Sequence, residues 1–233
     1  MKFSPIEVQE RAAFLRANGW LARCSKPFAD AVLAQSQWMT VEVDQPVAMG
    51  DEVDGGIFGI ARGTVGIIPT IAAADVGLIH ITPAPFWFGM QPFVNGRGRM
   101  ITVHARSRCL VAHLAKPALT QVLNNCPDGW RMLLMCVTEM TAMAVQGASD
   151  HLLADQSRRC GALLLRLAGS RSSGPAIHDV ECSQDEIGGM CNLSRISVSK
   201  VLRQFESQRL LEVGYRKIRI TDANRLRQIV DAS

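Results

Sequence analysis

Arg195, Ile196, Ser199, Lys200 and Arg203 are the residues best suited to chemistry with another molecule: their types match the edges of DNA bases, and their spacing puts them on one side of a helix. Arg and Lys donate to guanine O6 and N7, a Ser hydroxyl donates or accepts, and Ile packs on a thymine methyl. Val198, Val201, Leu202 and Phe205 fall on the opposite stripe, with Arg195 at its edge but early enough in the helix to reach outward. Ser194 stands where an N-cap belongs, so the helix starts at Arg195, and Ser194 is counted with the expected DNA contacts. A shorter helix precedes it, opened by Ser183-Gln184-Asp185-Glu186, and its Ile187 and Met190 meet the apolar stripe. Two helices so close in sequence nearly touch at the bend. Gly188 and Gly189 supply small residues there, and Asn192 tolerates positive φ. This is the pattern of a helix-turn-helix, and it predicts double-stranded DNA as partner.

Leu210 to Val213 and Arg216 to Ile220 alternate apolar and polar residues around a Gly214-Tyr215 turn, a hairpin with its basic residues outward. Arg216 and Lys217 are therefore placed against the DNA backbone. A helix-turn-helix followed by such a hairpin predicts a winged helix, closed by a short helix after Thr221-Asp222 whose Leu226, Ile229 and Val230 pack back. Charge follows the same division. Arg195 to Arg227 holds nine basic and three acidic residues, whereas residues 1–154 hold twelve of each, so the net +4 arises after residue 154, where phosphate neutralisation needs it.

Enzyme chemistry finds no foothold. No Ser/His/Asp or paired-carboxylate signature stands out and no phosphate-binding glycine loop is present, so no catalytic residue is assigned. The seven cysteines (24, 109, 126, 136, 160, 182, 191) are scattered, without C-x-x-C or a histidine at ligand spacing. They read as small apolar core residues in a reducing compartment, and no metal site is assigned. No apolar run approaches the roughly 18 to 20 residues of a membrane span. Met1-Lys2-Phe3-Ser4-Pro5 lacks the apolar core of a signal peptide, so a cytoplasmic protein without a membrane partner is expected.

The elements that must hold the reading helix in place form an α+β chain. Short runs punctuated by Gly and Pro (Trp38–Val43, Ile57–Ala61, Thr64–Pro69, Gly77–Ile81, Phe86–Gly89, Met100–Ala105, Cys109–Leu114) predict a β domain, a jelly roll, led into by short helices at Ile6–Leu15 and Phe28–Ala34. Asp128–Leu153 reads as one long helix, with Trp130, Leu133, Val137, Met140, Ala144, Gly147 and His151 at 3-4 spacing and Leu134, Thr141, Ala148 and Leu152 widening the stripe. So apolar a helix needs cover on two sides, its own β domain and a second copy, which makes Trp130, Leu133, Val137, Met140, Ala144 and Gly147 the expected dimer contacts. The alternative is an ordinary core helix of a monomer. Asp155 caps the next helix, which carries Leu163, Leu164, Leu165 and Leu167 and ends near Gly169; the hinge lies at Leu153 to Asp155, and residues 171–175 form a loop. The expected division is residues 1–126 for the β-roll, 127–153 for the dimerisation helix and 154–233 for the winged helix-turn-helix.

In this order of parts the chain resembles bacterial transcription regulators of the Crp/Fnr family over nearly its whole length. Three stretches carry the likeness: Gly50-Asp51 with Phe58-Gly59-Ile60, Gly63 and Val65; Pro127-Asp128 with Asp155; and Gln184 to Gly188 continuing through Leu193-Ser194-Arg195, Val198 to Leu202 and Phe205-Glu206. The resemblance implies a cyclic-nucleotide-binding-like β-roll, base contacts at Arg195, Ile196, Ser199 and Lys200, a homodimer reading an inverted repeat, and RNA polymerase as a further partner. Members often carry an acidic residue at the position of Ile196 and Arg at that of Lys200, so the target sequence differs from theirs. Lys offers one point donor where Arg offers a planar fork, which makes the reading of guanine less strict.

The resemblance also bears on the effector, which stays unidentified. Members that bind cyclic AMP share a Gly-Glu and, some ten residues on, an Arg-Ser. Here Gly89-Met90 and Arg99-Met100 stand there, and the long-helix positions that offer hydroxyls to the base fall at Ala144 and Val145. With those partners gone cyclic AMP is not expected, each buried unpaired group costing roughly 1 to 3 kcal/mol. Arg97 and Arg99 either hold a different anion or are surface residues of a turn. Iron-sulfur members cluster cysteines near the N-terminus, where this chain has only Cys24; haem or thiol sensing through Cys109, Cys136 or a histidine has no signature behind it. The rival function is a ligand- or redox-sensing module acting through protein contacts, its helix-turn-helix serving only as scaffold.

Overall fold

The computed structural model describes residues 3–53, 55–70, 77–171 and 179–232; most of the loop expected at 171–175 lies outside them. The chain divides into two units, Met1–Asp75 with Ile81–Thr141, and Val76–His80 with Ala142–Ser233. The boundary falls inside the long helix, between Thr141 and Ala142.

In the first unit, helices α1 (Pro5–Ala17) and α2 (Lys26–Gln35) precede strands β1 (Gln37–Val41), β2 (Pro46–Ala48), β3 (Gly56–Arg62), β4 (Thr64–Pro69), β5 (His80–Pro83, whose first residue is counted with the second unit) and β6 (Phe86–Phe88). Helix α3 (Met90–Asn95) follows, then β7 (Ile101–Ala105), β8 (Cys109–Ala115), α4 (Lys116–Asn125) and the long α5 (Gly129–His151). The strands form two four-stranded sheets, in the orders β1-β8-β3-β6 and β2-β7-β4-β5. The expected strand at Gly77–Ile81 begins only at His80, and β2, α3 and α4 were not foreseen.

Alternation along β3 and β8 explains the two cores. Phe58, Ile60, Cys109 and Val111 point into the roll, where they meet Val47, Val65, Phe88 and Val103. Ile57, Ala61, Leu110 and Ala112 point outward and are covered by Leu15, Phe28, Leu119 and Leu133 of the helices. Gly59 is required on this outer face, since a Cβ there would stand 2.6 Å from the Trp87 ring. Trp20 meets Trp87 edge-on at 5.3 Å and donates its indole N–H to the Met132 carbonyl at 2.7 Å, which ties the start of α5 to this unit.

The second unit takes the end of α5, then α6 (Gln156–Leu167), β9 (Asp179–Val180), α7 (Gln184–Cys191), α8 (Arg195–Ser207), β10 (Leu211–Gly214), β11 (Lys217–Ile220) and α9 (Ala223–Asp231). Asp155 caps α6 as expected, accepting from the Arg158 N–H at 2.8 Å. Cys160, Cys182 and Cys191 are buried here, and all seven cysteines are free thiols.

Helix α5 corrects two expectations. By length and composition it passes as a membrane span, contrary to the reading that no run is apolar enough. Its surface is nevertheless divided. Leu133, expected at the dimer contact, is 2 % exposed in the core of its own unit with Met132 and Cys136, and Val137 and Met140 pack partly against that core. Of the expected contacts Trp130 and Ala144 are exposed and Gly147 is half-buried, and Leu134, Thr138, Thr141, Val145, Ala148 and Leu152 are exposed beside them. Thr138 and Thr141 turn their hydroxyls back to the Leu134 and Val137 carbonyls at 2.9 and 3.0 Å, so even the polar members of the stripe have their donors satisfied within the helix.

Candidate nucleic-acid interface

The turn that aims α8 is built from short-range contacts. Ser183 and Glu186 form a capping box at the start of α7: Ser183 Oγ accepts from the Glu186 N–H at 3.2 Å, and the Ser183 N–H donates to Glu186 Oε2 at 2.7 Å. Asn192 ends α7 in the left-handed region, φ 53°, as expected. The Leu193 N–H then donates to the Gly188 carbonyl at 2.9 Å. A Cβ on Gly188 would lie 2.6 Å from the Leu193 oxygen, so only glycine fits; Gly189 has nothing within 4 Å and is not needed by the bend. Ser194 caps α8 by accepting from the Ser197 N–H at 3.1 Å.

On α8 the faces divide as predicted. Val198, Val201, Leu202 and Phe205 are buried. Arg195 is 71 % exposed at its side chain and Ile196 69 % exposed; Ser194, Lys200 and Arg203 are exposed as well, while Ser199 is half-buried. Ile196 is an apolar side chain held in water on an otherwise polar face, the right chemistry for a methyl group presented by a partner.

The wing differs from its expectation in one detail of geometry and one of charge. Gly214 pairs with Lys217 as the last residue of β10, so the turn is Tyr215-Arg216 rather than Gly214-Tyr215. Arg216 occupies the left-handed region at φ 50°, and Tyr215 at the tip is 94 % exposed. Strand β9 adds to the hairpin in the order β10-β11-β9 and brings Asp179 beside β11. Arg219 donates to Asp179 at 2.8 and 3.3 Å and Lys217 lies 2.8 Å from it, hydrogen bonds that hold the Asp179 carboxyl well below the usual carboxylate range. Lys217, expected as a DNA contact, is thus already engaged.

Two more acids stand beside arginines of this face and of the wing. Asp185 lies 3.9 Å from Arg195 Nε, a long exposed contact that contributes little in water, and the half-buried Glu186 lies 3.8 Å from Arg216 Nη2. Asp185, Arg195 and Arg216, together with Ser183, Gln184 and Tyr215, line a notch of about 210 Å³ between the start of α7, the start of α8 and the wing. The S-x-x-E spacing at Ser183 was readable from sequence; Asp179 sits on a strand of two residues that leaves no periodic signal.

In the β-roll the two candidate effector arginines separate. Arg97 is exposed. Arg99 is 4 % exposed, is ion-paired with Glu52 at 2.7 Å, and lies over the Phe58 ring at 5.2 Å, with His113 stacked on that ring. Burial, and then the Arg99 charge, lower the His113 pKa. Met90 is buried in the helix-covered core and Met100 is exposed. Burial pushes the Cys109 thiol up to about 11 and raises Cys136 further, which makes both poor nucleophiles. Among the described residues no group of three or more potential ligands could hold a metal ion.

Residues 158–229 match the model of the Crp-like helix-turn-helix domain. Over 96 % of its length the chain is 26 % identical to the HTH-type transcriptional regulator Cmr of Mycobacterium tuberculosis, covering 90 % of that protein. It is 24 % identical to the cAMP-activated global transcriptional regulator CRP of Salmonella typhimurium, over 66 % of this chain and 75 % of that one. The solved structure of FixK2 from Bradyrhizobium japonicum matches with a TM-score of 0.65 at 20 % identity, over 85 % of this chain and 98 % of that chain, a likeness of fold.

Proposed function

We propose that the chain is a transcription regulator of the Crp/Fnr family with a helix-turn-helix DNA-binding domain, and that it acts in the cytoplasm as a homodimer that reads an inverted repeat in double-stranded DNA. The observation that carries the reading is the exposed face of α8, where Arg195, Ile196, Lys200 and Arg203 stand clear of the protein beside the wing. Ser199 contributes from the inner edge of that face. Two such helices related by a two-fold lie about 34 Å apart and enter successive major grooves of half-sites one helical turn apart. Arg216, and less strongly Lys217, hold the backbone. In this reading residues 1–126 form the β-roll, 127–153 join two copies, 154–233 read DNA, and RNA polymerase is the further partner through which transcription responds.

The β-roll does not answer to cyclic AMP. Glu52 already neutralises Arg99, and Ala144 and Val145 offer no hydroxyl to a base. The effector stays open. Sensing through Cys109 or Cys136 is not supported, because both thiols are buried and their pKa values raised.

Selection from a random DNA pool followed by anisotropy titration tests the main reading. An inverted repeat should emerge, and Arg195→Ala should cost about 1 to 3 kcal/mol with relaxed preference at one base pair of each half-site. An equal loss on every sequence would make Arg195 a backbone contact. Failure to retain any DNA would favour the module that works through protein contacts.

A further inference from the structure

The second unit contains a buried ionic cluster that DNA reading, as described, does not use. Asp150, in the last turn of α5, is 4 % exposed. Its Oδ2 accepts from Arg166 Nε at 3.2 Å and its Oδ1 from Arg171 Nε at 3.2 Å. Arg171 continues to Asp231 at the end of α9, donating through Nη1 at 2.8 Å. Arg166 donates to His80 Nδ1 at 3.1 Å, and burial, with the Arg166 charge, lowers the pKa of this histidine to about 3, so its ring is neutral and can accept. Arg159 crosses the same region by donating to the Leu153 carbonyl at 2.9 Å, in the short connection between α5 and α6. Every residue named here belongs to the second unit.

Such a cluster is a poor device for stability. Taking carboxylates and guanidiniums out of water costs about what their attraction returns, and well-packed apolar residues of the same volume would serve as well. Apolar contact, however, is non-directional and lets one helix end slide on another. A carboxylate that accepts one N–H on each oxygen, from two arginines on different segments, admits one arrangement of the α5 terminus, α6 and α9. The connection it spans is the place where α8 could otherwise swivel against α5.

We propose that Asp150 is a positioning residue for DNA reading: by gripping Arg166 and Arg171 it sets the angle at which each winged helix leaves the dimer helix, and so fixes the half-site spacing the protein accepts. Its partner chemistry is unchanged; what it selects is the distance between half-sites. The inference rests on the dimeric reading proposed above.

The test uses the full-length chain and a series of inverted repeats whose half-sites are moved apart or together one base pair at a time, with a single half-site duplex as control. Wild type should lose on the order of tenfold or more in affinity for each base pair of misplacement, since a one-step change rotates the second half-site away from its helix. Asp150→Asn should keep the single half-site affinity and base preference but bind neighbouring spacings within about threefold of one another. Arg171→Gln, which leaves the Asp150–Arg166 pair in place and alters a more exposed residue, should relax spacing in the same direction and covers the case in which Asp150→Asn does not fold. If either folded variant keeps wild-type spacing discrimination while only its melting temperature falls, the cluster is merely structural and the proposal is overturned. If wild type itself binds single half-sites without preferring any spacing, the dimeric reading fails, and the clamp falls with it.

Discussion

Arg99 carries its charge into the interior of the β unit, and a buried guanidinium is tolerated only with an anion beside it. Glu52 is that anion. Its own side chain is half exposed, so the pair sits where solvent and interior meet and leaves an incoming phosphate no uncompensated charge to seek. A ligand that binds the native state at a hundred times its Kd raises stability by about 2.7 kcal/mol, a shift of several degrees in melting temperature. We expect millimolar cyclic AMP to leave the melting curve of this chain in place; a rise of several degrees in calorimetry would reverse that expectation. Sequence could identify Arg97 and Arg99 as candidates, but not which was inside, since burial of Arg99 depends on Glu52 and Phe58, more than 40 positions away. The residues of α8 were legible because their placement follows from a local cap and a 3.6-residue period. Lys217 was not, because its partner Asp179 comes from β9, which pairs with the wing across a long separation.

At the level of elements, α5 has to satisfy two demands with one sequence. Its inner stripe closes the core of the first unit, and its outer stripe is an exposed apolar surface, the one the proposed dimer would cover. Periodicity revealed a helix apolar on more than one side but could not phase it, because Leu133 and Leu134 differ by only 100° and both belong to plausible stripes. Burial of Met132, Leu133 and Cys136 in the core of the first unit fixes the phase. Two substitutions one position apart should therefore behave oppositely. Leu134→Glu should leave the fold intact and convert the dimer to monomer at micromolar concentration. Leu133→Ala should lower stability by about 2 to 5 kcal/mol while the chain still dimerises. Sedimentation equilibrium and thermal melts on both variants separate these outcomes; a Leu134→Glu dimer, or a monomeric wild type, would overturn the placement of the seam. The helices α3 and α4 were missed for different reasons. α3 is only six residues long, whereas α4 carried readable signals in Lys116-Pro117 and the Leu119, Val122, Leu123 spacing.

Across the whole molecule, charge is sorted by task. The first 154 residues balance their acids and bases, and the remainder holds thirteen basic against nine acidic residues. Within that remainder the structure divides the cations again. Arg166 and Arg171 are paired to Asp150 inside the second unit, and Lys217 and Arg219 to Asp179 on the wing. Among the described residues the acids beside Arg195 and Arg216 stand at 3.9 and 3.8 Å, and no carboxylate is paired with Lys200 or Arg203. The net charge that suggested DNA therefore overstates what phosphates would meet, and the cations still available concentrate on α8 and the wing tip. Counterion release measures this directly, because the slope of log affinity against log salt is about −0.9 per phosphate neutralised. Arg216→Gln should flatten that slope by about one unit and weaken all sequences alike. Lys217→Gln should flatten it by clearly less, because the Lys217 ammonium must leave Asp179 before it can meet a phosphate. Titrations between low and physiological salt decide the matter: equal changes for the two variants would mean that Asp179 releases Lys217 at no cost when DNA binds, and a loss confined to particular sequences would mean that the wing reads bases.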